Sequence, residues 1–126
     1  MQVIHHAVWV ADIDRTIGFY VDGLGLHETR RFESGDGATN VFVAGDDAVE
    51  IQFKYHADGD DAPVEPSGFD HVAVAVDDTD AEVERLVAET GCRLVRGPLD
   101  SDGANARVAF LEDPDGYGVE LVQEFD

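Results

Sequence analysis

Lysine is almost missing from this chain. Lys54 is the only one among 126 residues, and lysine plus arginine total 8 against 28 aspartates and glutamates, a formal net charge of −20. A surface of that sign repels phosphate backbones and anionic lipid, which argues against nucleic acid and membrane surfaces as partners. Spread over a short globular chain, the excess predicts adaptation to high salt, where self-repulsion is screened. Cysteine is scarce too, and the single Cys92 cannot close an internal disulfide. No apolar run is long enough to span a bilayer. The opening MQVIHH has neither a basic n-region nor an apolar h-region, so a cytoplasmic protein is expected.

What is present supports a packed core. Hydrophobic residues make up 44% of the chain, too many for disorder. An internal repeat organises them. HHAVWVADID (5–14) resembles HVAVAVDDTD (71–80): each has a histidine, alternating residues, a valine five places after the histidine (Val10, Val76), and acids that open a helical pattern. Ile13, Ile17, Tyr20 and Leu24 predict the first helix. Val83, Leu86 and Val87, ending at Gly91, predict the second. Strand-like runs follow each: HETRRF, TNVFVAG and AVEIQFKY, then CRLVRG, ARVAFLE and GVELVQEF. The expected fold class is α+β, with paired βαβββ modules over 1–56 and 69–126, curved mixed sheets around a cleft, and helices outside. HADGDDAPVEPSG, with two prolines and clustered acids, predicts a linker over 57–68. One module of roughly 60 residues is marginal alone, so the pair shares the burden of stability.

Alternation assigns the faces. His5, Ala7 and Trp9 share one face of the first strand, while His6, Val8 and Val10 share the other. In the second module His71, Ala73 and Ala75 oppose Val72, Val74 and Val76. The valine faces are expected on the helices and the histidine faces on the cleft. The last strand of each module carries an acid, Glu50 in AVEIQF and Glu120 in GVELVQ. A carboxylate inside an apolar strand needs a partner, which a divalent metal, an arginine or backbone donors can supply. Gln52 and Lys54 share the face of Glu50, so a register slip of two residues puts Gln52 in its place.

Three stretches together resemble the vicinal oxygen chelate superfamily, and within it glyoxalase I. They are IHHAVWVADIDRTIGFYVDGLGL (4–26), FDHVAVAVDD (69–78) and AFLEDPDGYGVELVQ (109–123). The resemblance implies a divalent ion held by His5, Glu50, His71 and Glu120, with nickel or cobalt favoured and zinc the alternative. It implies a lyase acting on the hemithioacetal of a 2-oxoaldehyde and a small thiol to give a 2-hydroxyacyl thioester. Glu120 is the implied principal base, with Glu50 on the opposite side. A homodimer is implied, in which His5 and Glu50 meet His71 and Glu120 either within one chain or across the pair. In glutathione-using relatives an arginine four residues after the first ligand and an asparagine four after the second grip the glutamyl end. Here Trp9 and Lys54 stand there, so they become the candidate substrate-binding residues and the thiol stays open.

Rival readings within the same fold are a methylmalonyl-CoA epimerase-like enzyme, a ring-cleaving dioxygenase using two His and one Glu, and a metal-free drug-binding protein. Few basic residues stand against a CoA ester. The apparent fourth ligand stands against the dioxygenase. The acidic charge and Trp9 suit a binder of cationic drugs, but such a binder has no need of the ligand set.

Overall fold

The computed structural model describes residues 5–35, 37–57, 69 and 71–126. It divides into two compact units, Met1–Val64 and Glu65–Asp126. In the first unit β1 (His5–Trp9) leads into α1 (Ile13–Ile17), then β2 (His27–Glu33), β3 (Thr39–Ala44) and β4 (Glu50–Tyr55). In the second, β5 (His71–Ala75) leads into α2 (Thr79–Thr90), then β6 (Leu94–Ser101), β7 (Ala106–Glu112) and β8 (Gly118–Glu124). Both units thus have the expected βαβββ order, and the fold is α+β. The predicted linker, 57–68, lies outside the described residues except for Ala57.

Local chemistry starts and stops the helices. Asp12 and Asp78 have extended backbones, and each carboxylate accepts the N–H three residues on, from Arg15 and from Ala81, at 3.1 Å. Such caps satisfy donors that a helix N-terminus leaves open. Helix α2 ends at Gly91, whose φ of 70° suits a residue without Cβ and whose N–H bonds Val87 O at 3.0 Å. The first helix departs from the sequence expectation. After Ile17 the coil widens into a π-type turn over Gly18–Gly23, and Leu24 N–H bonds Phe19 O, five residues back, at 2.9 Å. The wider turn accommodates two adjacent buried aromatics. Phe19 and Tyr20 meet edge-on at 5.1 Å, and Tyr20 lies 4.7 Å from Phe53.

Each unit forms a four-stranded mixed sheet, in the orders β1-β4-β3-β2 and β5-β8-β7-β6. The helical segment carries the chain to the far edge, and two antiparallel steps bring it back. The last strand therefore lies parallel to the first. One face of each sheet is apolar. Val41, Val43 and Phe53 are fully buried in the first unit, and Leu86 of α2 with Leu111, Val119 and Leu121 in the second. Each such side chain contributes about 1.5–3 kcal/mol on burial. The other face carries His5 in the first unit and His71 in the second. No helix among the described residues is long and apolar enough to cross a membrane.

Candidate functional site

In the second unit, His71 pairs with Gly118 and Ala73 with Glu120 across the parallel β5–β8 ladder. His71 and Glu120 therefore share a face, and His71 Nε2 lies 3.2 Å from Glu120 Oε1. Phe110, which pairs with Glu120 from β7, stands at right angles to the imidazole at 5.6 Å. The register of Glu120 is pinned by the turn before it. Asp113 Oδ1 accepts the N–H groups of Asp115 and Tyr117, both at 2.9 Å, and Asp113 N–H returns to Tyr117 O at 2.9 Å. Proline and glycine at 114 and 116 suit that reversal.

The first unit repeats the arrangement. His5 pairs with Glu50 and Ala7 with Gln52. Phe42 pairs with Gln52, and its ring stands at 87° to His5, again at 5.6 Å. Matching the two ladders makes Gln52 the counterpart of Glu120 and Glu50 the counterpart of Gly118. This corrects the expectation that the two glutamates occupy equivalent places. The strings VEIQF and VELVQ look aligned, but register is set by ladder bonds to β1 and β3, which the strings do not contain. The Glu50 carboxylate accepts from Thr29 Oγ1 and lies 3.9 Å from Arg30 Nη2.

The amide of Gln52 has a defined polarity. Asn40, fully buried, donates Nδ2 to Ala38 O at 3.1 Å and to Ser34 Oγ at 3.0 Å. A backbone carbonyl can only accept, so the nitrogen of Asn40 must face it. The oxygen then faces Lys54 Nζ at 2.9 Å and Gln52 Nε2 at 2.8 Å. The ammonium can only donate, which agrees with that orientation. Gln52 therefore spends its nitrogen on Asn40 and keeps its carbonyl oxygen as the acceptor for another group. Lys54 Nζ also lies 5.2 Å from the centre of the Trp9 ring, and Trp9, 42% exposed, stacks on His56 at 5.0 Å. The two expected substrate-binding residues are thus adjacent, on the face of Gln52.

The donors fit a divalent ion in kind. They are two imidazoles, a carboxylate and an amide oxygen or second carboxylate, a mixed nitrogen–oxygen set suited to nickel, cobalt or zinc. His5 Nδ1 is buried with no hydrogen-bond partner among the described residues. Such an atom costs about 1–3 kcal/mol unless something binds it. Each unit brings together two of the expected donors, and no group of three or more His, Cys, Asp or Glu occurs among the described residues. Sequence reading overlooked Asn40, inside the apolar-looking run TNVFVAG. The signal for Asn40 is a polar residue on a strand whose neighbours at 41–44 are all apolar.

Known proteins resemble this chain in sequence and fold. A profile of the Glyoxalase/Bleomycin resistance protein/Dioxygenase superfamily matches residues 2–121. The lactoylglutathione lyase of Haemophilus influenzae is 35% identical over 127 residues, covering 98% of this chain and 93% of that protein. Glyoxalase I from Zea mays superposes with a TM-score of 0.85 at 31% identity, over 99% of this chain and 45% of the maize chain. This chain thus spans less than half the length of that relative. TnmS3, an antibiotic binding protein from a Streptomyces species, superposes with a TM-score of 0.74 at 26% identity, over 99% of this chain and 97% of its own. With its full-length match and repeated sheet ladders, this chain belongs to the Glyoxalase/Bleomycin resistance protein/Dioxygenase superfamily.

Proposed function

We propose that the protein is a metal-dependent isomerase of the glyoxalase I type, which converts the hemithioacetal of methylglyoxal and a small thiol into a 2-hydroxyacyl thioester. The observation that carries this reading is the His71–Glu120 pair, 3.2 Å apart. At the matching place in the first unit, His5 stands beside an amide whose oxygen is left to accept. His5, Gln52, His71 and Glu120 are the proposed ligands, in a homodimer. Gln52 takes the place expected of Glu50, whose carboxylate is engaged by Thr29 and Arg30.

A bound divalent ion supplies Lewis acidity toward the two neighbouring oxygens of the substrate. The chain does the rest. Glu120 takes the proton from the carbon that bears sulfur and returns it to the neighbouring carbon, while the hydroxyl proton passes to the other oxygen. Atoms and electrons balance without an oxidant. An amide cannot carry a proton at Gln52, so Glu120 is the proton carrier among the proposed ligands. Trp9 and Lys54 line the substrate's thiol end on the face of Gln52.

The test is elemental analysis of the purified protein, followed by assay of methylglyoxal with several thiols. Metal bound near one per chain, with turnover that falls on chelation and returns with nickel or cobalt, is expected. A protein that takes up no divalent metal and turns over no adduct would overturn the reading in favour of a drug-binding module.

A further inference from the structure

The two imidazoles are fixed by different means. In the second unit His71 Nε2 lies 3.2 Å from Glu120 Oε1, so a polar partner sets the ring. In the first unit His5 Nδ1 is buried with no hydrogen-bond partner among the described residues. Its ring is met instead by Phe42, edge to face at 5.6 Å and 87°. Such a contact sets the plane of one ring only as firmly as the other ring is held.

Phe42 is held on several sides. It is buried, the Arg30 guanidinium lies over its face at 3.9 Å from the ring centre, and Phe32 stacks beside it at 5.8 Å and 25°. Arg30 Nη2 is in turn 3.9 Å from the Glu50 carboxylate, which also accepts the hydroxyl of Thr29. Strand β2 shifts register between Glu28 and Arg30, and the intervening Thr29 has no partner in the ladder. A bulge of this kind re-aims a side chain, here toward Glu50. The series thus runs Thr29, Glu50, Arg30, Phe42, His5. The Arg30 side chain is 54% exposed, so its long ion pair adds little to stability. Its consequence is geometric, because Glu50 keeps the guanidinium over the ring. The second unit lacks the series. Val95 stands at the matching shift in β6, and Gly118, in the place of Glu50, has no side chain to hold Arg96.

We propose that Arg30 is a positioning residue of the first unit: held by Glu50, it locks Phe42, and Phe42 sets the plane in which the His5 imidazole is presented to the metal. The proposal deepens the isomerase reading and rests on it for the metal. It gives Glu50 a part that needs no coordination, that of a carboxylate holding a cation. A ring already in its binding orientation loses less freedom when it binds. Partners behind a ligand typically change metal affinity by about ten- to a hundredfold.

The test uses the whole chain and nickel, with two readouts. One is nickel affinity, by competition with a chromogenic chelator. The other is the NMR signals of the His5 and His71 rings in metal-free protein at about pH 8.5, where an ordinary imidazole is neutral. Arg30→Gln should weaken nickel binding about tenfold and shift and broaden the His5 signals, while those of His71 keep their places. Arg30→Lys, which keeps a cation for the ring face, should recover part of both. Glu50→Gln should act in the same direction by about threefold, since its amide still accepts from Thr29 but no longer holds the guanidinium by charge. With nickel saturating, kcat of Arg30→Gln should stay within about twofold of wild type. Unmoved His5 signals in Arg30→Gln overturn the proposal, as does an unchanged nickel affinity in a protein that binds nickel, whatever happens to Tm. A larger loss of affinity in Glu50→Gln than in Arg30→Gln also overturns it, since Glu50 is then itself a ligand. If the wild type takes up no nickel while Arg30→Gln still moves the His5 signals, the isomerase reading falls and the positioning of His5 stands.

Discussion

The two units have one topology, one register and one placement of histidine against phenylalanine, yet they differ at the positions that touch chemistry. Gln52 corresponds to Glu120, Glu50 to Gly118, and the polar trio Trp9, Asn40 and Lys54 to Ala75, Val108 and Val122. The differences form one pattern. An amide has a nitrogen end and an oxygen end, so Gln52 needs Asn40 and Lys54 to turn its oxygen outward. A carboxylate has two oxygens, and Glu120 needs no such support from Val108 and Val122. In the proposed reaction proton transfer falls to the second unit, and orientation of a neutral donor falls to the first.

The largest effect should come from levelling that difference at its centre. Glu120→Gln gives both units an amide, removes the proton carrier, and should lower kcat by about a hundredfold or more. Circular dichroism should be unchanged, because Glu120 is partly exposed and its loss empties no core. His6→Ala, on the opposite face of β1 from His5, should alter kcat far less. Activity of Glu120→Gln near that of wild type would move the base elsewhere.

Asn40→Leu sharpens the comparison from the other side, since it makes the first unit apolar where the second already is. Gln52 then loses the acceptor that fixes its polarity, and Lys54 loses its buried partner. Metal affinity should fall about tenfold, read by competition with a chromogenic chelator. Stability should fall by about 1–3 kcal/mol, since Asn40 is fully buried and its loss removes the hydrogen bonds it makes to Ala38 O, Ser34 Oγ and Gln52 Nε2. Unchanged metal affinity in a folded Asn40→Leu protein would remove the orienting role.

Much of this was legible before any coordinates. The repeat HHAVWVADID/HVAVAVDDTD carried the module order, because period-two and helical patterns are local properties of a string. Asp12, Asp78 and Gly91 marked helix ends for the same reason. What failed was non-local. Whether Glu50 or Gln52 matches Glu120 depends on which residue of β1 lies beside each, and no short window contains both strands. Asn40 escaped because its role comes from neighbours far along the chain, Lys54 and Gln52. The π-type turn escaped because its residues keep an ordinary helical spacing of apolar positions.

Lys54→Ala tests the cation on the face of Gln52. Lys54 is the counter-charge that sequence spacing favours, but its ammonium rests on Asn40 and near the Trp9 ring. Its removal should raise KM for acidic adducts by about two- to threefold and leave metal content in place. Added salt should weaken the preference for acidic over neutral thiols in the wild type, since partly exposed pairs are screened. Unchanged KM for every adduct in Lys54→Ala would leave Lys54 no part in binding the thiol end.

The smallest effect tests whether the second unit's helix depends on charge. Arg107 of β7 holds Asp80 of α2 with Nε–Oδ2 at 2.5 Å and Nη2–Oδ1 at 3.0 Å, and Asp100 of β6 with Nη1–Oδ1 at 2.9 Å. No comparable clasp ties α1 to its sheet among the ion pairs of the described residues. The hydrogen bonds from Arg107 hold the Asp80 carboxyl below the usual carboxylate range. A carboxyl whose folded pKa is depressed contributes stability above its unfolded value, near 3.9, and that contribution disappears as pH falls through the lower folded value. Asp80→Asn should therefore lower Tm at neutral pH, by no more than a few degrees for so exposed a pair. The gap between wild type and variant should close as pH falls below about 4. Thermal melts across that range check the sign, and a gap that widens on acidification would mean the clasp opposes folding.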